Sequence, residues 1–202
     1  AWWRLCTPLN APPSKAAREG AARIFHNRHD QAYPILSTGG VKMQVLVMYF
    51  SRTGHTKQLA EAVAQGVGEV EPVKCLLKPI AEVTKDDFLN SDGVIVGSPV
   101  YFGGMAAEVK ALLDSFVGVR PKMADKVGAA FATSGDLSGG KETTLISLIQ
   151  ALMIYGMIVV GDPMDATGHY GVSCVGEPDA AARTNGVKLG KRVASLVKKL
   201  KG

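Results

Sequence analysis

The 202-residue chain is short of cysteine, of long apolar runs and of charge excess in its main part, and each shortage excludes something. Its three cysteines, Cys6, Cys75 and Cys174, stand far apart, with no CxxC and no Cys/His cluster. Three distant thiols build neither a disulfide framework nor a zinc site, and they fit a reducing, cytoplasmic compartment. Apolar runs such as Val94–Val96 and Met157–Val160 fall far short of the roughly 20 residues of a membrane-spanning helix. The net charge of +5 is concentrated at the start. Residues 1–42 hold six Lys/Arg against two Asp/Glu, leaving seventeen against sixteen from residue 43 onward. A nearly neutral main part carries no nucleic-acid footprint, so no nucleic-acid partner is expected.

What is present begins with a change of texture at Met43. Residues 1–42 are rich in Pro, Gly, Arg and Ala, without sustained periodicity, and read as a flexible N-terminal extension. Two readings of that extension stand: an Arg-rich, acid-poor transit peptide, or a segment upstream of a true start at Met43. Residues 43–202 are long enough for one sizeable core.

From Met43 onward, short apolar runs alternate with helical periodicity. Gln44–Phe50, Glu71–Leu77, Gly93–Val96, Val127–Ala132 and Met157–Val160 read as strands. Thr56–Val67, Met105–Phe116, Glu142–Tyr155 and Ala180–Leu200 read as helices, with Thr84–Leu89 as a helical turn. Strand–helix alternation with continuously apolar strands predicts an α/β three-layer sandwich, a parallel sheet covered on both faces. Ligands in such folds bind beyond the carboxyl ends of the strands, at the switch in strand order. The loops after the first, third and fourth strands therefore become the candidate site.

The first of these loops is Ser51-Arg52-Thr53-Gly54-His55-Thr56. It opens a helix, whose free N–H groups and positive end favour an anion. Three hydroxyls and a glycine complete a phosphate cradle with no metal requirement. The loop holds no acid and no cysteine, which excludes a Mg²⁺-binding phospho-acceptor and a cysteine phosphatase. The second loop, Gly97–Ala107, offers Tyr101 and Phe102 as flat faces for a planar ring. The third, Thr133–Thr143, contains Gly135, Gly140 and Lys141 in the G-x-x-x-x-G-K spacing of a P-loop. Glu142 then stands where Mg²⁺ needs Ser or Thr, so nucleotide hydrolysis is not expected. No GxGxxG occurs, which removes the dinucleotide Rossmann fingerprint.

Taken together, these loops make the chain resemble the flavodoxin superfamily. Ser51–Thr56 is similar to its [ST]-x-T-G-x-T phosphate loop, and Gly97–Leu113, Phe131–Gly156 and the Tyr170-Gly171 pair resemble short WrbA-type NAD(P)H:quinone oxidoreductases. The resemblance covers about residues 43–202. It implies a five-stranded parallel sheet in the order 2-1-3-4-5, and FMN as cofactor. Ser51, Arg52, Thr53, Gly54, His55 and Thr56 would hold the FMN phosphate. Ser98, Pro99, Val100, Tyr101, Phe102 and Gly103 would line one side of the flavin ring, and Thr133, Ser134, Gly135 and Asp136 the other, with Gly139 and Gly140 nearby. Tyr155 stands where the WrbA-type proteins place a His near the flavin. Thr53 replaces an aromatic residue of those reductases, and the segments that build their tetramer and substrate pocket are shortened.

The resemblance implies an oxidoreductase taking electrons from NAD(P)H to a quinone or similar acceptor through FMN. Its alternative is a flavodoxin-type carrier of single electrons between proteins. The near-neutral main part weighs against the carrier, whose steering usually needs strong acidity. A homodimer and a homotetramer both remain open.

Overall fold

The computed structural model describes residues 43–202, and the expected extension, residues 1–42, lies outside the described residues. In chain order the strands are β1 Gln44–Tyr49, β2 Lys74–Pro79, β3 Gly93–Tyr101, β4 Gly104–Met105, β5 Val127–Ser134, β6 Ile158–Val159 and β7 Val172–Val175. The α-helices are α1 His55–Gly68, α2 Lys85–Asn90, α3 Ala107–Ser115, α4 Lys141–Ile154 and α5 Ala180–Lys201. Short 3₁₀ turns cover Ile80–Glu82 and Val117–Lys122.

The sheet runs β2-β1-β3-β5-β6, and each of these neighbours pairs in parallel. This is the expected order of five strand positions once the small β3–β4 hairpin is set aside. In β1, Val45 and Val47 face one layer while Leu46 and Met48 face the other, the two-residue alternation of a strand buried on both sides. One core packs beneath α2, α3 and α4 around Phe88, Leu113, Leu148 and Leu152. The other packs beneath α1 and α5 around Leu59, Val63, Phe131 and Leu189. On that side α1 and α5 approach through glycine. A Cβ on Gly66 would lie 1.9 Å from the Val187 carbonyl oxygen, and one on Gly190 would lie 2.0 Å from that of Val63.

Several boundaries differ from the sequence expectation. The second strand starts at Lys74 rather than Glu71, because Val73 N–H closes a turn onto the Val70 carbonyl. The third strand continues past Val96 to Tyr101, since Val100 and Tyr101 pair with Met105 and Gly104. Met105 is thereby taken into β4, and α3 begins at Ala107.

The largest difference is in the fifth strand position, which is divided. β6 lies beside Val127-Gly128, and β7 lies beside Phe131–Ser134. Residues 160–171 leave the sheet between them. Asp162 is 8 % exposed and accepts a hydrogen bond from Gly171 N–H at 2.9 Å, while its own carbonyl accepts one from the Arg192 guanidinium at 2.7 Å. These bonds close the excursion and return the chain to the edge of β5.

Candidate functional site

The site is built where α1, α3 and α4 begin. Ser51 Oγ accepts from Gly54 N–H at 3.2 Å and turns the chain out of β1. Gly54, at φ 96°, is the N-cap of α1, and no side chain caps the helix. Its first turn contains no acidic residue. A 14-residue helix therefore presents uncapped N–H groups and its positive dipole end to the loop. A Cβ built on Gly54 would meet nothing within 4 Å, so the space before this helix start is open.

Hydroxyls then tie the loops to one another. Thr56 and Thr133, 2 % and 4 % exposed, join through their hydroxyls at 2.8 Å and link the first turn of α1 to β5. Ser98 Oγ accepts from Ala106 N–H at 2.9 Å and donates to the Pro99 carbonyl at 2.7 Å, which closes the base of the β3–β4 hairpin. Its hydroxyl is thus committed within the protein. Ser134 Oγ donates to the Asp136 carbonyl at 2.7 Å, and Gly139 N–H donates to the same oxygen, forming a tight turn before α4. Asp136 itself is exposed. Gly140, at φ 93°, caps α4 in the same left-handed geometry as Gly54, again with no side-chain cap. A Cβ there would stand 2.9 Å from Gly103 Cα, so the second and third loops meet backbone to backbone.

The hairpin tip is aromatic. Phe102 is fully exposed and adopts φ 50°, an uncommon conformation for a bulky residue. Tyr101 packs edge-on against Phe50 at 6.3 Å, and the Arg52 guanidinium lies 5.4 Å over its ring. Arg52 was expected in the phosphate loop, but its side chain is stacked on the hairpin.

The structure thus brings the Ser51–Thr56, Ser98–Gly103 and Thr133–Gly140 segments together and leaves Tyr155 out. Tyr155 follows the 14 residues of α4, which at about 1.5 Å per residue puts it roughly 20 Å from the helix start. It is 5 % exposed, packs on Phe88 at 5.1 Å, and donates its hydroxyl hydrogen bond to the Leu113 carbonyl. Burial, and then the Asp114 charge, push its pKa up to about 12. Its expected place near a flavin is corrected by the structure: it is a core residue at the other end of α4.

Several features were not apparent from the sequence. β7 places Cys174 beside Thr133 and Val175 beside Ser134, at the floor of the third loop. Burial raises the Cys174 thiol to about 11 and the Cys75 thiol to about 11, so neither is a ready thiolate nucleophile. The Thr56–Thr133 bond joins residues 77 positions apart and has no local signal. The β4 pairing hid in Gly104-Met105, too short for any periodicity. Among the described residues no group of three His, Cys, Asp or Glu side chains is arranged to hold a metal.

Set against known proteins, residues 55–170 match the family model described as NADPH-dependent FMN reductase. The chain belongs to that family, within the flavodoxin superfamily. A protein of Aquifex aeolicus named flavodoxin is 37 % identical over 161 residues, spanning 76 % of this chain and 86 % of its own length. Among solved structures, the flavodoxin, WrbA-like protein of Agrobacterium tumefaciens superposes with a TM-score of 0.68 at 26 % identity, covering 78 % of this chain and 99 % of that one. A flavodoxin from the domain Archaea gives a TM-score of 0.65 at 26 % identity, with coverage of 77 % and 99 %. Within the FMN reductase family match lie α1, the hairpin, β5 and α4, and it ends at Tyr170 before β7. No helix among the described residues is long and apolar enough to cross a membrane.

Proposed function

We propose that this protein is an FMN-dependent oxidoreductase that passes electrons from NAD(P)H to a quinone or similar acceptor. The observation that carries the reading is the open, acid-free start of α1, framed by Ser51 and Thr56 and standing beside an exposed aromatic hairpin. A helix start left uncapped, with hydroxyls around it, suits a phosphate monoester. Gly103 and Gly135 are exposed, and a Cβ on Gly135 would meet nothing within 4 Å, so the backbone of these loops is open to a flat ring there. These residues fit FMN.

FMN supplies the redox chemistry, and the protein's part is to hold and orient it. The N–H groups of His55 and Thr56 and the hydroxyls of Ser51, Thr53 and Thr56 would hold the phosphate. Thr133 orients the Thr56 hydroxyl through their shared hydrogen bond. The Ser98–Val100 arm of the hairpin would flank the ring on one side and the Ser134–Gly140 turn on the other, leaving the aromatic tip at Tyr101-Phe102 beside it. Backbone N–H groups of these loops suit a ring that gains negative charge on reduction. The acceptor, the cytoplasmic location and assembly as a homodimer or homotetramer belong to the same proposal.

The test is an anaerobic titration of the FMN-loaded protein with NADPH and then NADH, following flavin absorbance. Rapid bleaching by either nucleotide, reversed by a benzoquinone, is the expected result. FMN that stays bound yet unbleached by both nucleotides would overturn the reductase reading. It would favour the electron carrier, the second reading suggested by the Aquifex relative's name. Failure to retain FMN would overturn both.

A further inference from the structure

A hollow of about 760 Å³ opens beside the cofactor site, lined mostly by carbon. Arg52, Tyr101 and Phe102 form one side, and Met105, Lys110 and Ser147 reach it from β4, α3 and α4. Arg52 is its sole contribution from the first loop among the described residues, and the Thr133–Gly140 turn contributes none. The hollow is therefore not the phosphate cradle itself.

We propose that this hollow takes the adenosine 2′-phosphate half of NADPH, with Arg52 recognising the phosphate and Tyr101-Phe102 supplying the surface for adenine. The inference rests on the reductase reading above and deepens it by locating the donor's far end.

Arg52 is exposed, and its guanidinium lies over the Tyr101 ring. Among the described residues it makes no ion pair and no side-chain hydrogen bond. A cation–π contact uses the charge of the guanidinium and none of its N–H donors, so the fork that matches a phosphate is left over. Phe102 is fully exposed and held at φ 50°. A bulky apolar side chain in that state is unfavourable twice over, and strained residues of this kind cluster at ligand clamps. An adenine stacked on it would remove the exposure. Lys110 is already paired with Asp114 at 2.7 Å, so Arg52 is the cation with donors to spare.

Glu108 also lines the hollow and opposes an anion. It supplies a control of opposite sign. NAD⁺ lacks the 2′-phosphate, so only the phosphorylated dinucleotide should sense either charge.

The experiment is calorimetric binding of NADP⁺, NAD⁺ and adenosine 2′,5′-bisphosphate to the full chain under saturating FMN. NADP⁺ is expected to bind about tenfold tighter than NAD⁺, the worth of a charge-assisted pair at an exposed site. Arg52→Gln should bring that ratio close to one and abolish bisphosphate binding. Arg52→Lys should restore part of the ratio, and Glu108→Gln should raise it above the parent's. A parent ratio near one, or a ratio that survives Arg52→Gln, would overturn the proposal. NADP⁺ bound through Arg52 with no bleaching by NADPH would support the nucleotide site while overturning the reductase reading, so the two failures are distinguishable.

Discussion

α1 and α4 begin on left-handed glycines, Gly54 and Gly140, with no side chain over their first N–H groups, and α3 begins uncapped at Ala106. α2 and α5 begin on Thr84 and Asp179, whose side chains accept from Asp87 N–H and Ala182 N–H at 3.1 and 2.7 Å. α2 even carries a full capping box, with the Asp87 carboxylate returning to Thr84 N–H at 2.8 Å. A side-chain cap is worth about 1 kcal/mol. The chain therefore takes that stabilisation where a helix start has only a structural task. It leaves it out at the three starts that converge on the candidate site. An uncapped helix start is less stable alone and better able to bind an anion, a trade commonly found where function needs an unsatisfied group.

The comparison breaks most sharply at Gly54. Gly54→Asp would put a carboxylate over the α1 start and a side chain at φ 96°. FMN affinity should fall by about a hundredfold, from charge repulsion together with a blocked cradle. A fluorescence titration in which affinity is retained would show that the open start holds no phosphate. Next in size, Thr56→Val removes the hydroxyl bonded to Thr133 while keeping the shape. It should cost about tenfold in FMN affinity and about 1 kcal/mol of stability by denaturant unfolding.

The far end of α4 sharpens the contrast. Tyr155→Phe leaves the Leu113 carbonyl without its side-chain partner and should cost about 1 kcal/mol. FMN affinity should stay within error of the parent's. The pH dependence carries a sign. The folded tyrosine titrates near 12, above its ordinary value of 10.0, so the folded state holds this proton more tightly than the unfolded state does. Its contribution is complete below pH 10 and is lost as pH rises toward 12, and Tyr155→Phe should flatten that alkaline decline. A parent whose stability is level across that window would contradict the buried placement. The smallest effect belongs to a capped start. Asp179→Ala should lower stability by about 1 kcal/mol and leave FMN binding alone, and a loss of FMN would blur the division between the two groups of helices.

Much of the fold and of the candidate site is legible in the sequence. The Ser51–Thr56 loop, the glycines of the third loop and the strand–helix alternation depend on local residue types, so they can be read along the chain. Tyr155 misled because its likeness to a family position carried no information about direction. α4 runs away from the site, and the side chain at its end falls among Phe88 and Phe116, whose rings lie 5.5 Å apart. The divided fifth strand was hidden for a similar reason. Asp162 looks like an ordinary loop acid until burial and the Gly171 bond fold the excursion back to β5.

The sequence by itself determined the layers, the order in which helices and strands alternate, and the residue types at each loop, because periodicity and turn chemistry act over a few residues. Only the tertiary structure decided which hydroxyls are spent inside the protein, as in Ser98, and which join distant loops, as in Thr56 and Thr133. It alone turned Arg52 onto Tyr101 and carried Tyr155 into the core. Hydrogen bonds and burial depend on what lies across space, and that is set only when the whole sheet closes its two cores.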